Sequence, residues 1–458
     1  MIDKLRKEFR GALLRPGEEG YDQARRVWNG AIDRRPWLIA RCAGADDVVA
    51  AVRFARERDL PVSVRGGGHA VAGHAVVDDG VMIDLSLLKA IVVDPVAGTA
   101  RAAGGVLLGE LDRATQRFGL ATASGIESTT GIAGLTLGGG LGHLMRKYGQ
   151  TVDNLLSVDL VTADGTRMHV DAGTEPELFW GLRGGGGNFG IATAFEYRLH
   201  PVGPIVLGGP LFWPLEQAGD VLRFVDDFTA EAPDELGIVF TARLALPMPF
   251  LPPRQWGKPV LGLILVWAGD PAEGERVIAP LRRLGTPIAD AVRPSPFLFI
   301  QSLMDAANPH GMRYYWRSRR LPKLTDGVID TVTEHAASAR SPLSYIGGFA
   351  VGGAASRVDP EATAVGQRDI GFEVNAVAAW RPEDPDGERH IAGIRSVWET
   401  LRPHSTGVYA NFLSDEGAAG VEVAYGGRLK RLTALKDRYD PTNLFQLNAN
   451  VRPSGGRR

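Results

Sequence analysis

The chain has a single cysteine, Cys42, among 458 residues, so no disulfide can form within it. It has almost no excess of either charge. Fifty-one Lys and Arg against 53 Asp and Glu leave −2 at neutral pH, too little for the electrostatic footprint of a nucleic-acid or anionic-membrane binder. No apolar run approaches the roughly 18 residues of a membrane span. The first ten residues, Met1 to Arg10, mix charges and lack an apolar stretch, so no secretory signal is expected. With a composition rich in Ala, Gly and Arg, like that of a high-GC bacterial gene, the expected compartment is the cytoplasm. The nine histidines are scattered without ligand spacing or a carboxylate cluster, which argues against a metal centre. No G-x-S-x-G elbow of a hydrolase occurs, and no glycine run leads into Lys-Ser or Lys-Thr as in a P-loop.

What the chain does have is glycine in nests. Three fall within the first 200 residues: Gly66-Gly67-Gly68 before His69, Gly138-Gly139-Gly140 with Gly142, and Gly184 to Gly187 with Gly190. Loops without Cβ atoms let backbone N–H groups close on an anionic ligand. One nest suits a phosphate; three suggest a dinucleotide laid along the protein. Gly185 to Gly190 matches G-x-G-x-x-G, but residues 175–183 before it read as a helix and 191–199 after it as a strand. A Rossmann fingerprint needs the reverse order, so that phosphate meets a helix N-terminus. His69 stands at the lip of its loop, between strands expected at 60–64 and 81–85, where it can touch whatever the loop holds.

Taken together, several segments carry a family resemblance. They are Arg65-Gly-Gly-Gly-His69, Gly131-Ile-Ala-Gly-Leu-Thr-Leu-Gly-Gly-Gly140, Arg146-Lys-Tyr-Gly149, Val152-Asp-Asn154, Leu182 to Gly190, Tyr409-Ala-Asn411 and Tyr439 to Phe445. In these the chain resembles, over nearly its whole length, the FAD-linked oxidases of the vanillyl-alcohol oxidase/PCMH superfamily, in particular the bacterial members of the berberine-bridge-enzyme-like branch. The resemblance implies an α+β fold: a two-lobed PCMH-type FAD-binding domain (1–202), a substrate domain (203–407) and a segment returning to the FAD domain (408–458). The substrate domain would be an antiparallel sheet covered by helices on one face and roofing the flavin. FAD would be joined to a ring nitrogen of His69 through its 8α-methyl group. The implied cofactor-binding residues are Arg65, Gly66, Gly67, Gly68, His69, Gly131, Gly134, Leu135, Gly138, Gly139, Gly140, Gly142, Asp153, Asn154, Ile191, Asn411, Asn448 and Asn450. Some members carry a second, cysteine tether. That position is Glu127 here and Cys42 lies far upstream, so one covalent bond is expected.

The implied activity is oxidation of a C–O or C–N bond in a small, secondary-metabolite-type compound, with O₂ as acceptor and H₂O₂ as product. Alternatives are an oligosaccharide C1 oxidase, a dehydrogenase slow with O₂, and a flavin-binding protein without turnover; monomer or dimer stays open. Tyr409 is the first candidate base, as the tyrosine of the Y-x-N motif in related oligosaccharide oxidases. Its phenol, normally near about 10, would need a nearby cation. Arg317 is the expected source, with Tyr315 on the same strand face. Arg317 to Arg320 also reads as a solvated surface strand. Leu141 stands where plant members carry a catalytic tyrosine, which leaves His143, with an ordinary pKa of about 6.5, as the second candidate.

Along the chain, Asp46 is expected to cap a helix ending near Asp59. A helix is expected at 107–118, a hairpin at 158–170 and a further helix at 425–439. Strand, Asp-Pro and helix recur at 260–279 and 372–392, which suggests pseudo-symmetric halves of one sheet. The apolar segments 240–250 and 296–304 are candidates for lining a substrate pocket.

Overall fold

The computed structural model describes residues 2–455. A first sheet has the order Ala12–Leu14, Leu38–Arg41, Val81–Asp84, Val62–Arg65, and its last three strands run parallel. Parallel neighbours cannot be joined by a tight turn. The chain leaving Arg65 must therefore cross back to Val81, and this obligatory crossover carries Gly66 to His69. A second, five-stranded antiparallel sheet runs Ile91–Asp94, Thr99–Ala103, Ile191–Arg198, Leu155–Val161, Arg167–Asp171. Between them the first glycine loop backs onto Gly131: a Cβ on Gly67 would lie 2.3 Å from Gly131 N. That approach is open only to glycine.

The third sheet, of eight strands, shows how far the internal repeat extends. One half runs Ile205–Pro214, Ala218–Glu231, Leu236–Leu244, Pro259–Trp267, Pro271–Arg282. The other repeats strand, helix, strand, strand, helix as Arg313–Leu321, Asp326–Ser338, Tyr345–Ala350, Phe372–Trp380, Gly387–Leu401. In each half the third strand lies between the other two, and the halves join antiparallel with Val239 opposite Phe349. Only the first Asp-Pro caps its helix, Asp270 accepting from the N–H groups of Ala272 and Glu273. The second helix starts at Gly387, and Asp384 instead meets His390 Nε2 at 3.0 Å. Alternate residues separate the faces. Ile238, Phe240 and Ala242 pack into the core under the helices, while Val239, Thr241 and Arg243 face away from them, toward the glycine loops.

Two helix ends differ from expectation. The helix Ala45–Arg56 begins two residues earlier than an Asp46 cap requires: its N-cap is Gly44, without a side-chain cap bond, and Asp47 stands at the third helical position. Its carboxylate reaches back to the Ala43 N–H (2.8 Å) and ties in those of Arg10 and Gly11, while Asp46 pairs outward with Arg167. The helix expected at 425–439 is two, Gly417–Tyr425 and Leu429–Tyr439, broken where Gly426 takes a φ of 52° that a helix cannot contain. Cys42 is buried in the first core, where burial pushes its thiol pKa well up and keeps it unreactive.

Candidate active site

A cavity of about 320 Å³ lies between the glycine loops and the helix-free face of the eight-stranded sheet. Of the expected cofactor residues, Gly66, Gly67, Gly68, His69, Gly131, Gly134, Leu135, Gly138, Ile191, Asn411 and Asn448 line it. Behind these, Gly140 N–H donates to the Tyr409 hydroxyl (2.6 Å), Gly139 accommodates the Tyr409 ring edge, and Gly142 is pressed on Ser124 O. The other expected residues support the site from outside the lining. Arg65 is held by Asp84 (2.9 Å), Asp153 is gripped by both guanidinium nitrogens of Arg368, and Asn154 bonds to Tyr148 O, Gln150 O and His200. Asn450 also lies outside the lining, with a buried Oδ1 that has no partner. The lining fits FAD. Its glycine loops bring bare backbone to the cavity, packed so closely behind that a Cβ on Gly67 or Gly138 would meet Gly131 or Asn411. It also has buried polar atoms without a hydrogen-bond partner among the described residues, Asn448 Oδ1 and the Tyr425 hydroxyl among them, ready for a ligand's donors and acceptors.

His69 is fixed from two sides. Its ring stacks on Trp28 (centroids 4.3 Å apart), which stacks in turn on Tyr314 (3.8 Å) and donates its indole N–H to Asn308 O. Its Nε2 lies 3.0 Å from Glu127 Oε1 and 3.4 Å from Thr129 Oγ1. Trp28 and Glu127 carry no sequence signal of this role: one comes from a segment with no motif, the other from the position of a missing cysteine.

Tyr409 is buried beneath the sheet, and its hydroxyl oxygen accepts from Gly140 N–H and from Asn411 Nδ2 (3.0 Å). Burial pushes its pKa up to about 12; these two donors and the cation of Arg320 oppose the rise. Tyr315 and Arg317 do not reach it. They lie on the helix-side face of the strand Arg313–Leu321, where Arg317 is neutralised by Asp415 (2.5 Å) and Glu416 (2.7 Å) and the Tyr315 hydroxyl joins the same network. The cation beside Tyr409 is Arg320, three residues on and so on the opposite face. Its guanidinium carbon lies 5.4 Å from the Tyr409 ring centre, and its Nε pairs with buried Glu373 Oε2 at 3.2 Å. The Arg-rich stretch is thus buried, not a solvated strand. His143 is outside the lining, with neither ring nitrogen hydrogen-bonded, and burial holds it neutral by lowering its pKa to about 4.

Facing the glycine loops, the sheet contributes Val239, Thr241, Trp316, Tyr345, Phe349 and Asn375, with Phe412 from the returning segment. Of the segments expected to line a pocket, Phe240, Thr241 and Met304 reach this cavity. Leu246, Met248, Phe250 and Leu303 line a smaller one of about 30 Å³ that shares Thr241 and Met304 with it. Among the described residues, no group of three or more His, Cys, Asp or Glu could hold a metal ion, and no helix is long and apolar enough to cross a membrane.

Known proteins match this arrangement. A family model described as an FAD binding domain covers residues 36–171, and one described as berberine and berberine like covers 408–452. An FAD-linked oxidoreductase of Dictyostelium discoideum is 30% identical, over 99% of this chain and 97% of its own. The (R)-6-hydroxynicotine oxidase of Paenarthrobacter nicotinovorans is 31% identical over 98% of each. The crystal structure of 6-hydroxy-D-nicotine oxidase from Arthrobacter nicotinovorans superposes with a TM-score of 0.87 at 29% identity, over 97% of this chain and 98% of that one.

Proposed function

Because the chain belongs to the berberine-bridge-like FAD-linked oxidoreductases, we propose that it is an oxidase of small organic amines, with FAD tethered once, through His69. FAD, when bound, would supply the two-electron acceptor, with O₂ as the final acceptor and H₂O₂ as product. His69 anchors the ring end of the cofactor, and the glycine loops admit its dinucleotide body. The residues expected at 408–458 complete the FAD side through Asn411 and Asn448. The sheet of the proposed substrate domain, 203–407, closes the other side.

The choice of C–N over C–O rests on the protonation of the cavity's phenols. Tyr345, Tyr409 and Tyr425 all line it, and burial raises the pKa of each, so at neutral pH each is a hydrogen-bond donor rather than a base. His74, lowered to about 4, is a weak base, and Glu127 is engaged with His69. An alcohol gives up hydride readily only as its O–H proton is taken. A neutral amine expels hydride with its own lone pair and needs no such acceptor. The apolar wall of Val239, Trp316 and Phe349 excludes water from the amine and suits a ring-bearing substrate better than a sugar. The (R)-6-hydroxynicotine oxidase at 31% identity, named for a compound that carries a cyclic amine, supports the same class. A second reading, alcohol oxidation with Tyr409 as base, is favoured by Arg320 and the two donors at the Tyr409 oxygen.

Acid precipitation of the purified protein tests the tether: the yellow colour is expected to stay with the polypeptide, and its loss to the supernatant refutes the linkage. Panels of cyclic amines, secondary alcohols and oligosaccharides, read by H₂O₂ release, test the substrate class. Peroxide from the alcohols or sugars alone refutes the amine reading. Substrate bleaching of the flavin that air fails to reverse would make the protein a dehydrogenase instead.

A further inference from the structure

We propose that Glu127 positions His69 for attachment of FAD, holding the ring hydrogen on Nε2 so that Nδ1 is the nitrogen that bonds the 8α-methyl carbon. This rests on the His69 tether proposed above and concerns how the chain makes it. An ionised carboxylate can only accept, so at 3.0 Å from Glu127 Oε1 the His69 Nε2 carries the hydrogen. A neutral imidazole has one such hydrogen, and its other nitrogen then presents a lone pair. The Trp28 stack fixes the ring plane and Glu127 fixes the rotation within it, so together they select the attacking atom. Both side chains are close to nine-tenths buried, at 13% and 10% exposed, and His69 is the one ion-pair partner of Glu127 among the described residues. Thr129 Oγ1, 3.3 Å from the same carboxylate oxygen, holds it in place. A nucleophile, a partner for its ring N–H and a third group orienting that partner form the usual logic of an activated histidine.

The step balances as follows. One bond forms, from Nδ1 to the methyl carbon, and one C–H bond of that methyl breaks, its hydrogen leaving as a proton. The two electrons left behind reduce the flavin ring. Dioxygen then takes these two electrons and two protons, one from the methyl and one from water, as H₂O₂. Nε2 keeps its hydrogen, so the bonded ring becomes an imidazolium, and the Glu127 carboxylate opposite it stabilises the charge as it develops. Glu127 is neither bonded nor consumed. In this chain the carboxylate occupies the position where the second tether of some relatives would be. A site that would otherwise add a second bond instead serves the first.

The test follows attachment itself rather than turnover. Wild type, Glu127→Gln, Glu127→Ala and His69→Ala are incubated with FAD under air. The covalent fraction is read over time from acid-precipitated colour and from the intact mass, and non-covalent FAD binding reports that each variant is folded. Glu127→Gln is expected to bind FAD yet attach it roughly 10–100-fold more slowly, the usual loss for a group that orients a reacting one. Added acetate, entering the space left in Glu127→Ala, is expected to speed that variant and leave His69→Ala unattached. Attachment by Glu127→Gln at the wild-type rate, or a slow Glu127→Ala that acetate leaves slow, overturns the role of Glu127 while the tether stands. Wild-type protein that releases all its flavin overturns the tether, and this proposal with it.

Discussion

Asp440→Asn is expected to loosen the cofactor side of the cavity from a distance, because it strands a buried cation. Lys436, on the helix Leu429–Tyr439, has no exposed surface, and its ammonium gives its three hydrogens to Asn188 O (2.9 Å), Asp440 Oδ2 (2.7 Å) and Phe445 O (2.9 Å). Asp440 also accepts the N–H groups of Leu444 (2.8 Å) and Phe445 (2.9 Å). The pair thereby fastens the segment whose Leu447, Asn448 and Ala449 line the cavity to Asn188 of the third glycine nest, itself bonded to Ala449 O and Val451 N–H. Removing one charge of a fully buried pair costs about 3–5 kcal/mol, because the other is left without compensation. At roughly 2 °C per kcal/mol for a large domain, the melting midpoint should fall by roughly 6–10 °C. Burial already lowers the Lys436 pKa, so in the variant the amine sheds its proton more readily and the loss eases as pH rises. Melting followed by flavin fluorescence and by far-UV circular dichroism reads the effect, and flavin release is expected to come first. Lys436→Met combined with Asp440→Asn should lose less than the two single changes added together. A single-variant loss below about 1 kcal/mol, or strict additivity, would refute the reasoning.

Tyr409→Phe keeps the buried ring and removes only the hydroxyl: under the amine reading, substrate reduces the flavin less than about tenfold more slowly. A loss of about 10²–10⁴-fold in stopped-flow reduction would mark Tyr409 as the base and turn the assignment to alcohols. Burial lifts the Asp112 carboxyl to about 7, against the opposing pull of the Gln301 amide at 3.2 Å and of Arg113. Its folded pKa is above its unfolded one, so its stability contribution is full below about pH 4 and is lost as pH rises to about 7, at up to roughly 1.4 kcal/mol per unit. Asp112→Asn should flatten that slope in denaturation curves between about pH 4 and pH 7, and an unchanged slope counts against the assignment. Gly67→Ala sets a Cβ against the Gly131 backbone and should purify with little flavin, whereas Gly427→Ala, with no atom within 4 Å, should keep it. Equal flavin content in the two would mean that the loops can part freely.

Where side chains are absent, or where the pattern is long, the sequence was readable. The glycine nests announced close backbone approaches, and Gly67 against Gly131 is one. Strand, Asp-Pro and helix appearing twice exposed a repeat whose remaining strands and helices had diverged too far to see. The start of the helix Ala45–Arg56 was less legible, because the role of Asp47 depends on where Arg10 and Gly11 lie, 36 or more residues away in the chain. The break at Gly426 was hidden for a different reason. Leu429, Leu432 and Leu435 keep helical spacing soon after that point, and a glycine at a helix start reads the same as a glycine between two helices.

The site residues failed or held according to strand parity. Sequence places Tyr315 and Arg317 correctly on one face of their strand, but it does not say which face looks at the cofactor, because Arg313–Leu321 is covered on both. In a sheet exposed on one side, alternation of polar and apolar residues would have answered that question. Here the polar residues on the helix side are satisfied by Asp415 and Glu416, and those on the cavity side by Glu373, so both faces look alike in composition. A shift of three residues, from Arg317 to Arg320, moves the cation to the Tyr409 side. The same shift changes the chemistry. Arg320 is already paired with Glu373, so it lowers the Tyr409 pKa only part of the way back from what burial adds, and the phenol stays protonated at about 12. A free arginine at that place would have favoured a base; a paired one leaves the phenol protonated.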